Sequence, residues 1–292
     1  MIIYIKHKHI LGIILLILAF LILFLSTGKQ QIFEDTIVKK DDSLYLPIIM
    51  YHEIKTFKLG KDVISPYEFE SDLKYLRDNN YHTVTMSQLI DYVDGNGVLP
   101  ENPIVLSFDD GYLSTYKYAF PLIKQYNMKI VLSLIGKNTD DFTRIPDDNI
   151  DYSHVTWNQL NEMINSGYIE VQNHTYNLHS NGYKGRKGCL QCSSESFEEY
   201  EQVLTDDINK LQDEIFDYSG KLPNTFTYPY GKSSENTDVI IKKLGFRATL
   251  SCDYGINLVN KDPETLFGLK RICRSHGDTM ERIIKKAYKT IK

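Results

Sequence analysis

The chain follows two hydrophobic patterns, one before residue 28 and another after about residue 46. It opens "MIIYIKHKHILGIILLILAFLILFLSTGK", with Lys6 and Lys8 ahead of an uncharged apolar run from Ile10 to Leu25. That run is slightly long for the core of a signal peptide and slightly short for a span of roughly 20 residues. Counting Met1–Ile5, residues 1–28 read as a retained signal-anchor or transmembrane segment, with Ser26-Thr27-Gly28 offering a cleavage site as the alternative. Positive charge on the leading side puts the remainder outside the cytoplasm. The expected location is the extracytoplasmic face of the cell membrane, or secretion after cleavage. Residues 29–45, "KQQIFEDTIVKKDDSLY", are polar, mixed in charge and weakly patterned, as a linker is.

From residue 46 to 292 short apolar runs alternate with longer amphipathic ones. Strand-like runs fall at 46–51, 82–85, 104–108, 129–135, 168–171, 225–228, 247–250 and 269–272. Helical periodicity occupies "PYEFESDLKYLRDNN", "MSQLIDYVDG", "YLSTYKYAFPLIKQYN", "TWNQLNEMINSG", "SFEEYEQVLTDDINKLQDEIFDYSG", "SENTDVIIKKLG" and "DTMERIIKKAYKTI". Repeated strand–helix alternation predicts an α/β fold with parallel strands inside and helices outside. Seven or eight such units in this length favour a (β/α)-barrel over an open sheet. No internal repeat or low-complexity tract interrupts them.

Composition narrows the picture. A hydrophobic content of 42% in 292 residues supports a sizeable core. A net charge of -5 gives no basic footprint, which excludes nucleic acid as the expected partner. The 21 tyrosines suit a sugar-lined groove, although packing is their commoner use.

In either α/β architecture chemistry belongs at the C-terminal ends of strands. The run "IVLSFDDGY" ends a strand by setting Asp109 beside Asp110. An Asp-Gly turn is the plain reading. On an extended backbone, however, successive side chains point apart, so the two acids need not share a role. An EF-hand is excluded, because the glycine comes too early and no glutamate closes the loop. A second strand end, "VQNHTYNLHS", carries His174 and His179, five residues apart. That spacing fits a strand end followed by a returning turn and not one helical face. One carboxylate and two imidazoles make a three-ligand set for a catalytic zinc with a position left open.

"SFDDGY", "HTYNLH" and "FTYPYG", in this order, resemble the polysaccharide deacetylases of carbohydrate esterase family 4, the NodB-homology domain. The likeness runs from about Leu46 to Ile284. It implies a distorted, TIM-like (β/α)-barrel of about seven strands and metal-dependent hydrolysis of N-acetyl groups on aminosugar polymers. By position, Asp109 would be the catalytic base, Asp110, His174 and His179 would hold a divalent ion (Zn2+, with Co2+, Ni2+ or Fe2+ as alternatives), and the backbone N–H of Tyr230 would serve the oxyanion. The early Tyr-His dipeptide in "LPIIMYHEI" and the wide histidine spacing resemble the branch that acts on poly-β-1,6-N-acetylglucosamine, making His52 the expected acid for the leaving nitrogen. His276, in "CRSHGDT", lacks the leucine-rich context of the family's usual acid.

Two departures stand out. The family's arginine before "PYG" is absent, leaving Arg271 as a base-orienting candidate or a surface salt bridge. Asp253 in "SCDYG" only partly echoes the family's later Asp-Trp pair and receives no role. The insertion "NGYKGRKGCLQCSSES" is expected to overhang the cleft, with a solvated loop the favoured reading for each of Tyr183, Lys184 and Arg186 and substrate contact the alternative. It supplies Cys189 and Cys192; with Cys252 and Cys273 they leave disulfide pairing open. The expected partner is an N-acetylated polysaccharide, β-1,6-linked or, alternatively, peptidoglycan. A catalytically silent glycan-binding relative is the competing reading of another class.

Overall fold

The structure is a computed structural model that describes residues 43–182 and 185–291. The signal-anchor segment and most of the linker lie outside these residues. Among the described residues no helix is long and apolar enough to cross a membrane.

Twelve strands follow in chain order: β1 (Leu44–Leu46), β2 (Ile48–Tyr51), β3 (Glu53–Ile54), β4 (Val63–Ile64), β5 (His82–Thr83), β6 (Pro103–Phe108), β7 (Ile130–Leu134), β8 (Ile169–Asn173), β9 (Thr225–Thr227), β10 (Ala248–Leu250), β11 (Asn257–Val259) and β12 (Ile272–Cys273). The main sheet has the order β10-β9-β8-β7-β6-β2-β12, every pair parallel, with β5 joined to the lower end of β6. Its two edges meet. Leu269 donates its N–H to Thr249 O (2.9 Å) and accepts from Ser251 N (2.9 Å), bridging the approach to β12 onto β10. The result is the distorted (β/α)-barrel that the sequence predicts. Strand β1, antiparallel to β11, begins inside the stretch expected to be linker: Tyr45 packs on the core.

The helices are α1 (Pro66–Asp78), α2 (Met86–Val93), α3 (Phe120–Gln125), α4 (Gly136–Arg144), α5 (Trp157–Asn165), α6 (Phe197–Ser219), α7 (Glu235–Lys243) and α8 (Met280–Tyr288). Five start on capping boxes, namely Ser65/Glu68, Thr85/Gln88, Thr156/Gln159, Ser196/Glu199 and Ser234/Thr237, each satisfying orphan amides of the first turn. The predicted helix over 112–127 is broken: Thr115–Ala119 forms a π turn before α3. Pro121 cannot donate to the preceding turn, and the wider turn absorbs the lost bond. Helix α4 escapes the periodicity because its sequence "GKNTDDFTR" is polar and it buries only Gly136 and Thr139.

Alternation along the strands sorts side chains into layers. Ile48, Val105, Val131, Ala248, Leu250 and Leu269 fill the floor of the barrel interior, plugged from below by α2. Above them lies a polar belt, in which Ser133 Oγ meets Thr227 Oγ1 at 2.6 Å and Ser107 Oγ donates to Ile49 O at 3.1 Å. Ile49, Tyr51, Leu106, Phe108, Ile130 and Leu132 face outward into the layer beneath the helices. Each such side chain contributes about 1.5–3 kcal/mol of burial. The apolar layers thus fix the frame, and the belt carries the chain up to the catalytic edge.

Glu68 ties α1 to the C-terminal segment. Its carboxylate accepts from Ser65 N (2.8 Å) and Gly277 N (2.9 Å), with His276 Nδ1 at 3.0 Å. Burial pushes this carboxyl up, but those two amides and the His276 ring outweigh it and hold it at about 2. The folded value lies below the unfolded one, so the stabilisation is complete above about 4.5 and fades as pH falls towards 2. Glu68→Gln should lower the Tm at pH 7, and its deficit against wild type should shrink steadily across that window in thermal melts.

Candidate active site

Strand β6 delivers the two aspartates. Val105, Ser107 and Asp109 point inward in alternation, and Asp109 N donates to Tyr51 O (3.0 Å) as the last rung against β2. Asp110 then adopts φ +70° and Gly111 φ +77°. The left-handed turn, not an extended backbone, separates the two carboxylates. Gly111 is required: a Cβ there would lie 2.6 Å from Leu134 Cδ1.

Asp109 is 2% exposed, beside a guanidinium. Arg271 Nη1 donates to its Oδ1 at 2.7 Å, while Arg271 Nε donates to Ser251 O (2.7 Å) and Nη1 reaches Ser107 Oγ (3.3 Å). Burial pushes the Asp109 carboxyl up, but Arg271 first, then His174 and His52, outweigh this and hold it below the usual range. Arg271 is itself 1% exposed, so the surface salt-bridge reading is wrong. The other Asp109 oxygen, Oδ2, faces His52 Nε2 at 3.9 Å. His52 follows β2, and the aspartate and imidazole share one space.

Strand β8 delivers the histidines. Asn173 Oδ1 accepts from Thr175 N (2.8 Å), Thr175 takes φ +73°, and Thr175 Oγ1 accepts from Leu178 N (3.2 Å). The chain doubles back and sets the His174 and His179 rings 4.8 Å apart. Asp207 of α6 fastens this turn, its two oxygens accepting from Tyr176 N and Asn177 N at 2.8 Å each. The sequence reading missed Asp207. The available signal was an Asp-Asp pair in the middle of a helix, where aspartate is a poor helix former.

Asp110, His174 and His179 turn one ligand atom each towards a common point, all within 4.8 Å of one another. Both imidazole Nε2 atoms lie 3.5 Å from Asp110 Oδ1. His174 Nδ1 donates to Thr227 O at 2.7 Å, which turns Nε2 towards the carboxylate. Burial first, then the neighbouring His174, holds His179 down at about 4, so its ring is neutral at physiological pH. Asp110 Oδ1 is buried and has no hydrogen-bond partner. Acceptors converging in this way suit a cation between them. The two Asp110–imidazole separations are close to the donor spacing of about 3.4 Å that zinc bond lengths of about 2.0–2.1 Å imply. These residues fit a divalent metal. Among the described residues no other His, Cys, Asp or Glu group gathers three ligand atoms this way.

The family described as polysaccharide deacetylase matches residues 96–249, just over half of the chain. The chain belongs to the polysaccharide deacetylase family. The deacetylase is 28% identical over 242 residues to the Bacillus subtilis protein YxkH, covering 82% of this chain and 75% of that one. It is 27% identical over 213 residues to a Staphylococcus aureus poly-β-1,6-N-acetyl-D-glucosamine N-deacetylase, covering 72% and 64% of the two chains. Among solved structures, a de-N-acetylase from Aggregatibacter actinomycetemcomitans superposes with a TM-score of 0.67 at 27% identity, over 83% of this chain and 99% of that one.

Elsewhere the deacetylase departs from its sequence-based reading. Arg186 does not reach towards substrate: it is 9% exposed, donates to Leu190 O (2.8 Å) and pairs with Glu195. Tyr183 and Lys184 lie outside the described residues. His276 serves Glu68, its Nδ1 3.0 Å from the carboxylate. Asp253 engages through its backbone, its carbonyl accepting from Arg271 N at 2.8 Å and its N–H donating to Ser251 Oγ at 3.1 Å. All four cysteines are free.

Removing Arg271 would strand the buried Asp109 charge. Arg271→Met should cost about 3–5 kcal/mol in urea unfolding, and adding Asp109→Asn to it should recover most of that loss.

Proposed function

We propose that this deacetylase removes N-acetyl groups from N-acetylglucosamine units of a poly-β-1,6-N-acetylglucosamine-like polymer, using a divalent ion, zinc foremost, held by Asp110, His174 and His179. The observation that carries the reading is the partnerless Asp110 Oδ1 between two imidazoles, directly beside an arginine-held Asp109 that faces His52. The curated S. aureus relative, named for that polymer, supports the substrate class. The proposed location is extracytoplasmic, supported by Lys6, Lys8 and the apolar run that follows them.

When bound, such an ion supplies Lewis acidity, polarising the acetyl carbonyl and bringing the pKa of water towards about 7. The rest falls to this chain's own groups. Asp109, kept ionised by Arg271, accepts the proton of the attacking water. The Tyr230 amide donates to the oxygen as it gains charge. His52 delivers a proton to the departing nitrogen, without which the tetrahedral adduct reverts. The Asp109–His52 approach of 3.9 Å supports this pairing of base and acid.

Acetate release from β-1,6-linked N-acetylglucosamine oligomers, beside peptidoglycan oligomers, tests the proposal. Release from the β-1,6 series should exceed the other, vanish with chelator and return with added zinc. Binding without release under every metal condition would identify a silent glycan-binding protein. His52→Ala should keep its metal and lose about 10²–10⁴ of kcat; unchanged turnover would remove His52 from the mechanism.

A further inference from the structure

The turn Pro229–Gly231 carries Tyr230 at φ +58°, ψ 14°, a conformation that an ordinary residue keeps only when its surroundings impose it. The turn's own hydrogen bonds run from Gly231 N to Tyr228 O (2.8 Å) and from Lys232 N to Pro229 O (3.1 Å), and neither engages the Tyr230 amide. The insertion after the second histidine packs against this turn.

Gly188 lies directly against the turn. A Cβ there would stand 2.9 Å from Pro229 O and 3.1 Å from Pro229 Cβ, and Gly188 itself sits at φ +56°. Its N–H donates to Ser180 O at 2.9 Å, one residue beyond His179. Next to it, Lys187 places Nζ 5.9 Å from the Tyr230 ring, whose other neighbour is the His179 ring at 4.5 Å. On the opposite side a Cβ at Gly231 would come within 2.5 Å of Cys252 Cβ. The turn is gripped from both flanks at two points where only glycine fits.

The insertion is stiff enough to grip. Arg186 donates to Leu190 O and pairs with Glu195, and Glu195 Oε2 accepts from Cys192 N at 2.9 Å. Tyr200 of α6 donates its hydroxyl to Cys189 O (2.7 Å), and Asn236 of α7 donates to Gln191 Oε1 (2.9 Å). The loop is therefore latched to two helices, and its glycine corner is pressed onto the back of the turn.

We propose that the segment from Gly185 to Glu195 is a brace that fixes the Tyr230 amide in its oxyanion-binding orientation, an inference that rests on the deacetylase reading above. Gly188 and Glu195 are positioning residues: they touch neither metal ligands nor substrate and act through the turn. An oxyanion donor contributes only in the transition state. Loss of the brace should therefore lower kcat and leave KM and metal content alone.

The test uses the full chain with Gly188→Ala, and Glu195→Gln as a milder variant that opens the latch without touching the turn. Acetate release from β-1,6-linked N-acetylglucosamine oligomers should fall about 10–100-fold in kcat for Gly188→Ala and several-fold for Glu195→Gln. KM should stay within about twofold. In protein labelled with 15N-tyrosine, the Tyr230 amide resonance should shift in both variants. Folded variants with wild-type kcat and an unmoved Tyr230 resonance would overturn the brace, and so would a kcat loss matched by loss of bound zinc. If the wild-type chain releases no acetate while the resonance still moves, the deacetylase reading fails and takes the oxyanion role of the brace with it, leaving only a loop that holds the turn. Should Gly188→Ala not fold, Glu195→Gln decides alone by the same two readouts.

Discussion

Two carboxylates on adjacent residues would point to opposite faces of the sheet if the backbone between them stayed extended, leaving Asp110 turned out of the barrel. The left-handed turn at Asp110 prevents this. It sends Asp109 inward to a buried guanidinium and Asp110 sideways to two imidazoles. Separate partners give the two acids separate chemistry. Everything else at the catalytic edge is arranged around that parting, including the glycine at 111 that lets the turn pass beneath Leu134.

The two halves of the site are stabilised in opposite ways. Asp109 is neutralised within the protein: its charge is offset by Arg271, itself pinned by Ser251 and Ser107. Asp110 is left incomplete by the protein, with a buried oxygen that no donor reaches. A closed ion pair keeps a base ionised in a dry interior, whereas an open acceptor cluster recruits a cation. The polar belt of Ser107, Ser133 and Thr227 separates this charged layer from the apolar floor and supplies the carbonyl that fixes the His174 tautomer.

Much of this was legible from residue order. The strand end at Phe108, the aspartate pair, the two histidines and the barrel itself follow from apolar runs and motif spacing, while the second strand runs on past the expected Val171 to Asn173. What stayed hidden has physical causes. Arg271 looked like a surface charge because sequence does not report that Ser107 and Ser251 would line a buried slot for it. Asp207 lay within an apparently solvated helix face, and only the fold shows it capping the histidine turn. Helix α4 buries too little to leave a periodic trace. Arg186 is neither solvated nor turned to substrate, because the insertion carries its own acid, Glu195, and folds the arginine inward.

The four thiols stay unjoined, so no covalent staple links distant parts of this chain. Acquiring the native topology consumes no oxidant, and a reducing agent removes nothing from it. Cohesion rests on the packed layers and on buried ion pairs such as Arg274–Asp72, at 2.8 Å. A barrel built this way needs no disulfide for its topology, while its free thiols, the exposed Cys252 foremost, are the groups an oxidant would meet.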